Sequence, residues 1–204
     1  CNLRCPFCHN ASMVIDTRDQ QVIAQEEVFS FLKKRRGVLD GVCITGGEPL
    51  LQPELEGFLR RVREMGYSVK LDTNGCFPQR LKAITAEGLV DYIAMDIKSS
   101  PRNYAQAAGI SDFDISGVRE SIRFLLSGPI DYEFRTTVVK GLHDAEILRE
   151  AALLIQGAKR YFLQKFEDSG DLIGIGMSGF SEIEMKTFLE VIAPTVQTAA
   201  LRGV

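Results

Sequence analysis

No stretch of the sequence approaches the roughly 18 to 20 consecutive apolar residues that a membrane-spanning helix needs, and no secretory leader precedes the first element. The expectation is a cytoplasmic protein with no membrane association. No run of Lys and Arg exceeds the four residues from Lys33 to Arg36, which end a helix where cations suit the dipole. With 24 basic against 27 acidic residues the formal charge is −3, so no nucleic-acid partner held by phosphate neutralisation is expected. Long linkers and low-complexity segments are missing too, tryptophan is absent, and 45% apolar with 25% charged residues exclude general disorder. The 204 residues suit one domain with a substantial core. Because residue 1 is Cys rather than Met, the domain 1–204 reads as N-terminally incomplete.

What the sequence does have is a steady alternation of short apolar runs and amphipathic stretches, the mark of repeated β-α units. A helix is predicted over 25–36 and a strand over 41–45. Pro53 opens a helix whose apolar positions Leu55, Phe58, Leu59, Val62 and Met65 recur at helical spacing, and Gly66 closes it. Strand 68–74, a weaker helix 78–87, strand 92–98 and a loose connection through Pro101 and Gly109 follow. Helix 116–126, strand 132–139, helix 145–156 and strand 160–166 continue the rhythm. Ser181 and Glu184 form a capping box for the last helix.

Strands joined through helices run parallel, and parallel strands covered on both faces are normally apolar throughout. Several here alternate instead. Lys70, Asp72 and Asn74 share one phase, as do Asp96 and Lys98, and likewise Glu133, Arg135 and Thr137. Either helices cover the other phase and these polar groups line an enclosed concavity, or the sheet is antiparallel with one wet face. The regular helices favour the first. Five β-α units, with a first strand upstream of Cys1, predict an α/β fold of the partial (β/α)6, TIM-like type, since a full eightfold barrel takes about 250 residues. Its site would lie at the C-terminal strand ends, which Cys8, Gly46 to Pro49, Asp72 to Gly75, Asp96 to Lys98 and Arg135 to Gly141 occupy or adjoin.

Five cysteines are an odd number, and Cys1, Cys5 and Cys8 form C-x3-C-x2-C ahead of the first helix. A disulfide framework is not expected, and metal or redox chemistry is. Closely spaced thiolates suit zinc or an iron-sulfur cluster. A structural zinc needs a fourth ligand. His9 is adjacent to Cys8 and poorly placed for that role, while Cys43 and Cys76 are distant alternatives that otherwise read as inert thiols. Three thiolates can instead hold a four-iron cluster by three corners, leaving open the position that catalytic metal sites keep.

The segment Cys1-Asn2-Leu3-Arg4-Cys5-Pro6-Phe7-Cys8, together with Thr45-Gly46-Gly47-Glu48-Pro49, resembles the radical S-adenosylmethionine superfamily. That resemblance implies that the three cysteines ligate a [4Fe-4S] cluster and that S-adenosyl-L-methionine chelates the fourth iron. Reductive cleavage would then yield methionine and a 5′-deoxyadenosyl radical. Phe7 would pack near the adenine. The physical reading of the second motif agrees, since Gly46 and Gly47 admit a close ligand, Pro49 fixes the turn, and Glu48 can accept hydrogen bonds from the ligand's ammonium.

Asp72-Thr73-Asn74-Gly75, Asp96-Ile97-Lys98, Arg135 and Val138-Val139-Lys140-Gly141 are similar to motifs of the glycyl-radical activating enzymes within that superfamily. On that likeness Lys98 and Arg135 face the carboxylate or methionine side of the cofactor, Asp72 and Asp96 bind ribose, a cation or the substrate backbone, and Asn74 and Val139 join the cofactor-binding set. Where some pyruvate formate-lyase activating enzymes carry a ribose-contacting histidine, this chain has Gln164. The Gln-x-Phe form and Gly141-Leu142-His143-Asp144 look most like anaerobic ribonucleoside-triphosphate reductase activating proteins; His143 itself reads as part of a helix N-terminus. The implied function is hydrogen abstraction from a glycine of a glycyl-radical enzyme, with a flavodoxin or ferredoxin-type electron donor. One rival is a radical enzyme for a small molecule, such as a 7-carboxy-7-deazaguanine synthase, which the short gap between Cys1 and Cys5 disfavours. The other is a non-catalytic iron-sulfur electron-transfer protein, which would need the cysteine loop but not Glu48, Asp96, Lys98 or Arg135.

Overall fold

The computed structural model describes residues 1–16, 18 and 20–204, and all five strands read from the alternation are present. They are β1 (Gly41–Ile44), β2 (Ser68–Thr73), β3 (Tyr92–Asp96), β4 (Asp131–Val138) and β5 (Tyr161–Lys165). A sixth, β6 (Ala199–Arg202), joins β5, and the sheet runs β1 to β6 in chain order with every neighbour parallel. Among the described residues β1 and β6 do not pair with each other, so the barrel is open. Six strands thus lie within residues 1–204, the sixth, β6, being one that the alternation does not mark. The sequence Ala-Ala-Leu-Arg offers neither β-branched residues nor a polar alternation, so β6 is specified by its pairing rather than by its own pattern.

The helices are α1 (Ala11–Val14), α2 (Gln25–Lys34), α3 (Leu55–Glu64), α4 (Pro78–Ala86), α5 (Tyr104–Ala108), α6 (Ser116–Leu126), α7 (Ala145–Leu154) and α8 (Glu182–Ile192). None is long and apolar enough to cross a membrane among the described residues. Short α5 falls in what read as a loose connection, and Gly109 ends it at φ +66°. The helices bury one face each. Leu59 and Val62 of α3, Leu81 and Ile84 of α4, and Val118 and Leu125 of α6 are inaccessible to solvent, as are Leu71, Ile93, Met95 and Phe134 of the sheet. Each such side chain contributes about 1.5–3 kcal/mol of transfer free energy, and together they fix which face of each strand turns outward.

Register then dictates the other face. Cys43 lies opposite Lys70, Asp72 opposite Ala94, Ala94 opposite Glu133, and Asp96 opposite Arg135. Paired residues share a face and alternate along the strand, so Lys70, Asp72, Asp96, Glu133, Arg135 and Thr137 all turn away from the helices. The polar phase read from the sequence is the concave wall of the barrel, and the antiparallel alternative is excluded.

Candidate active site

Leu3, Cys5 and Phe7 are buried while Arg4 between them is exposed, so the first eight residues present one side to the protein interior. The amide of Cys8 donates to the Cys5 carbonyl at 3.0 Å, and that of Arg4 to the Ala108 carbonyl of α5 at 2.9 Å. A Cβ at Gly109 would stand 2.0 Å from the Arg4 carbonyl oxygen, so only glycine permits this approach. Gly47 is similarly close to the first thiol residue: a Cβ there would lie 3.2 Å from both N and Cβ of Cys1. The side-chain amide of Asn74 donates to the Asn2 side-chain oxygen at 2.8 Å and ties the loop to the end of β2.

Cys1, Cys5 and Cys8 line one cavity of about 190 Å³, together with Phe7, Gly46 and Gly47. The strand ends supply its other wall through Asp72, Asn74, Asp96, Lys98, Arg135 and Thr137. Charges on that wall alternate. Lys70 contacts Asp72 at 2.5 Å, Asp72 contacts Arg135 at 3.1 Å, and Asp96 contacts both Arg135 and Lys98 at 3.0 Å. Burial alone would raise the Asp96 carboxyl, but Lys98 and Arg135 outweigh it and hold the group below the usual carboxylate range. Desolvation disfavours the cations of Lys98 and Arg135, yet their carboxylate partners keep both more firmly protonated than in water. Lys98 also lies 6.0 Å above the Phe7 ring. Deeper on the same face, Arg202 grips Glu133 through two hydrogen bonds of 2.6 and 2.7 Å, and Tyr92 donates to Glu133 at 2.9 Å. Burial, with Glu133 beside it, pushes the Tyr92 phenol up to about 12.

Four residues of the expected set do not line the cavity. Glu48 is 2% exposed, and its carboxylate accepts from the Leu50 amide at 3.1 Å, the Thr73 hydroxyl at 2.8 Å and the Asn74 amide at 2.7 Å. Burial pushes this carboxyl up despite those bonds. It pins the Gly46-Gly47 turn to the end of β2. Buried Pro49 opens a 3-10 turn beside it. Val139 is buried behind the wall, and Gln164 of β5 stands half-buried between Thr137 and Arg202 in register. Cys43, read as an inert thiol, is exposed beside Lys70 at 3.9 Å. Burial pushes the Cys76 thiol up to about 11.

His143 has a larger place than a helix start. It is buried; its Nδ1 accepts from the Val139 amide at 3.0 Å and its Nε2 meets the Lys98 carbonyl at 2.9 Å, joining the ends of β4 and β3. Since a carbonyl can only accept, the proton sits on Nε2. The ring also meets Phe7 edge-on, with centroids 6.4 Å apart. The helix cap is Asp144, which accepts from the Ile147 amide at 2.8 Å.

Three thiols spread around a cavity suit a polynuclear cluster, and burial, which pushes the Cys5 thiol up, means that a bound cation must draw off its proton. An open parallel barrel with three thiols facing its strand ends has the ligands of a soft metal centre. More specifically, residues 1–154 match the Radical SAM superfamily profile, and the chain belongs to that superfamily. Its cofactors are accordingly a [4Fe-4S] cluster and S-adenosylmethionine.

The chain is 28% identical over 172 residues to "Putative glycyl-radical enzyme activating enzyme MJ1227" of Methanocaldococcus jannaschii, covering 82% of this chain and 70% of that protein. It is 31% identical over 137 residues to a 7-carboxy-7-deazaguanine synthase of Koribacter versatilis, covering 66% and 56% respectively. It spans about half the length of the GTP 3′,8-cyclases it matches. In fold it is similar to SuiB of Streptococcus suis, crystallised with S-adenosylmethionine, at a TM-score of 0.75 and 12% identity, covering 100% of this chain and 48% of SuiB.

Proposed function

We propose that the chain activates a glycyl-radical enzyme, with anaerobic ribonucleoside-triphosphate reductase as the partner and a flavodoxin or ferredoxin-type protein as electron donor. The observation that carries this reading is the self-neutralised concave wall. Its four cations, Lys70, Lys98, Arg135 and Arg202, each contact a wall carboxylate within 3.1 Å. A substrate bearing a triphosphate or carboxylate groups calls for free Arg or Lys donors. A neutral backbone segment carrying a glycine does not, and the unpaired edge between β1 and β6 gives it a way in. The similarity to the Methanocaldococcus jannaschii protein supports the same reading. The superfamily membership, with the Asp72–Arg135–Asp96–Lys98 wall, sets the non-catalytic electron carrier aside.

In this reading Cys1, Cys5 and Cys8 hold the cluster, and Gly46 and Gly47 bring backbone against the cofactor. Glu48, by holding the turn to β2, positions those glycines and Asn74. Lys98, held by Asp96, stands on the methionine side of the cofactor, Phe7 covers the adenine, and Arg135 orients Asp72 and Asp96. Gln164 serves the nucleoside side, and Val139, buried behind the wall, backs it. When bound, the cluster and S-adenosylmethionine supply one-electron cleavage to a 5′-deoxyadenosyl radical, and the protein's part is to orient the reactants and exclude water. Anaerobic incubation of the reconstituted chain with S-adenosylmethionine, a reductant and the reductase is expected to give a glycyl-radical signal in electron paramagnetic resonance. No signal on any glycyl-radical enzyme, with turnover of GTP or a deazaguanine precursor instead, would establish the small-molecule reading.

A further inference from the structure

The connection between β5 and α8 lies beyond the residues matched by the superfamily profile, and it reaches the cysteine loop at three points. The Gly174 amide donates to the Pro6 carbonyl at 2.7 Å, and a Cβ at Gly174 would stand 2.7 Å from the Cβ of Pro6. The carboxylate of Asp171 accepts from the Ser12 amide at 3.2 Å and from the Ser12 hydroxyl at 2.8 Å, while its carbonyl accepts from the Ala11 amide at 3.4 Å. The Phe166 ring stacks on His9, with centroids 5.2 Å apart. Pro6 lies between Cys5 and Cys8, and His9 and Ser12 follow Cys8, so the loop is gripped on both sides of its last thiol. The connection is itself tied down at its far end, where the Lys140 amide donates to Ser178 at 2.9 Å and Gly179 packs on the Phe166 carbonyl.

We infer that residues 166–179 are a strap that keeps the cysteine loop in its cluster-holding shape, and that Asp171 is a positioning residue for the cluster. Between Cys1 and Cys8 the backbone makes one internal turn bond, Cys8 to Cys5, so the spacing of three thiols depends on what the loop is fastened to. Ligand sets hold a metal best when their supports fix them in advance. Asp171 supplies charge-assisted hydrogen bonds, and the absence of a side chain at Gly174 lets the strap lie flush on Pro6.

The test is the rate at which reconstituted protein gives up iron to a ferrous chelator under anaerobic conditions, with amide hydrogen exchange at Ser12 as a second readout. Asp171→Ala is expected to release iron about tenfold faster or more, as loss of hydrogen bonds to a charged group implies, and Gly174→Val, whose side chain would meet Pro6, to release it faster than the wild type; both should speed exchange at Ser12. Asp171→Asn, which keeps the shape and one acceptor, should fall between. Ile175→Ala is the control: this side chain on the strap is 96% exposed, and release should match the wild type. If Asp171→Ala does not fold, Asp171→Asn and Gly174→Val carry the comparison. Wild-type release and exchange in the folded variants would overturn the inference. Iron release does not depend on the partner enzyme, so this outcome is separate from failure of the activase reading.

Discussion

Replacing Arg135 with Gln tests whether the concave wall is one coupled array of charge. The Arg135 side chain is 12% exposed and bridges Asp72 and Asp96, whose side chains are 16% and 30% exposed. Removing one partner of a buried ion pair typically costs about 3–5 kcal/mol because the other charge is left uncompensated. Here each aspartate keeps a lysine, Lys70 at 2.5 Å and Lys98 at 3.0 Å, so about 2 kcal/mol is the reasoned loss at neutral pH. For a chain of this length that lowers Tm by about 4–8 °C. The sign with pH is fixed by Asp96, whose folded value is depressed. Its stabilisation is present above the unfolded value near about 3.9 and is lost as pH falls through the folded value. The gap between wild type and Arg135→Gln in apo-protein melts should therefore narrow from about pH 4 downward. A gap under about 1 °C at pH 7, or one unchanged at pH 3, would refute the coupling.

Three further outcomes follow from the site. Burial pushes Glu48 up, so the native state holds that proton longer than the unfolded chain, and stability falls as pH rises from about 4.3 through the folded value; urea unfolding of Glu48→Gln should lack that dependence and be weaker at pH 7, because the new amide faces a backbone N–H. Gly47→Ala pushes a methyl within 3.2 Å of Cys1 and should lower the iron bound per chain after reconstitution, measured against protein, while Cys43→Ser leaves it unchanged. His143→Ala breaks bonds to the Val139 amide and the Lys98 carbonyl and should lower Tm by about 5–10 °C. It should also weaken S-adenosylmethionine binding in equilibrium titrations.

Much of this was legible in the sequence because it is local. Period-two alternation placed Asp72, Asp96, Glu133 and Arg135 on one face, and helix coverage of the other phase made that face concave. The cysteine loop and the Gly46-Gly47 turn were visible as spacing. What escaped depends on contacts between distant residues. β6 has no pattern of its own and exists through β5. Glu48 read as a ligand for a cofactor ammonium, yet its oxygens are taken up by Thr73 and Asn74, about 25 residues away in the chain. His143 was masked by the cap beside it, because its partner carbonyl at Lys98 comes from another strand end. Asp171 and Ser12 are separated by 159 positions, and nothing in the spacing of either marks the other.

The most direct test of the central claim is isotope transfer. The reconstituted chain would be incubated anaerobically with S-adenosylmethionine, a reductant and anaerobic ribonucleoside-triphosphate reductase carrying deuterium at the α-carbon of its glycines, and the 5′-deoxyadenosine weighed by mass spectrometry. Deuterium in the methyl group of that product is the predicted result. Unlabelled 5′-deoxyadenosine that accumulates only when GTP or another small molecule is added would contradict it.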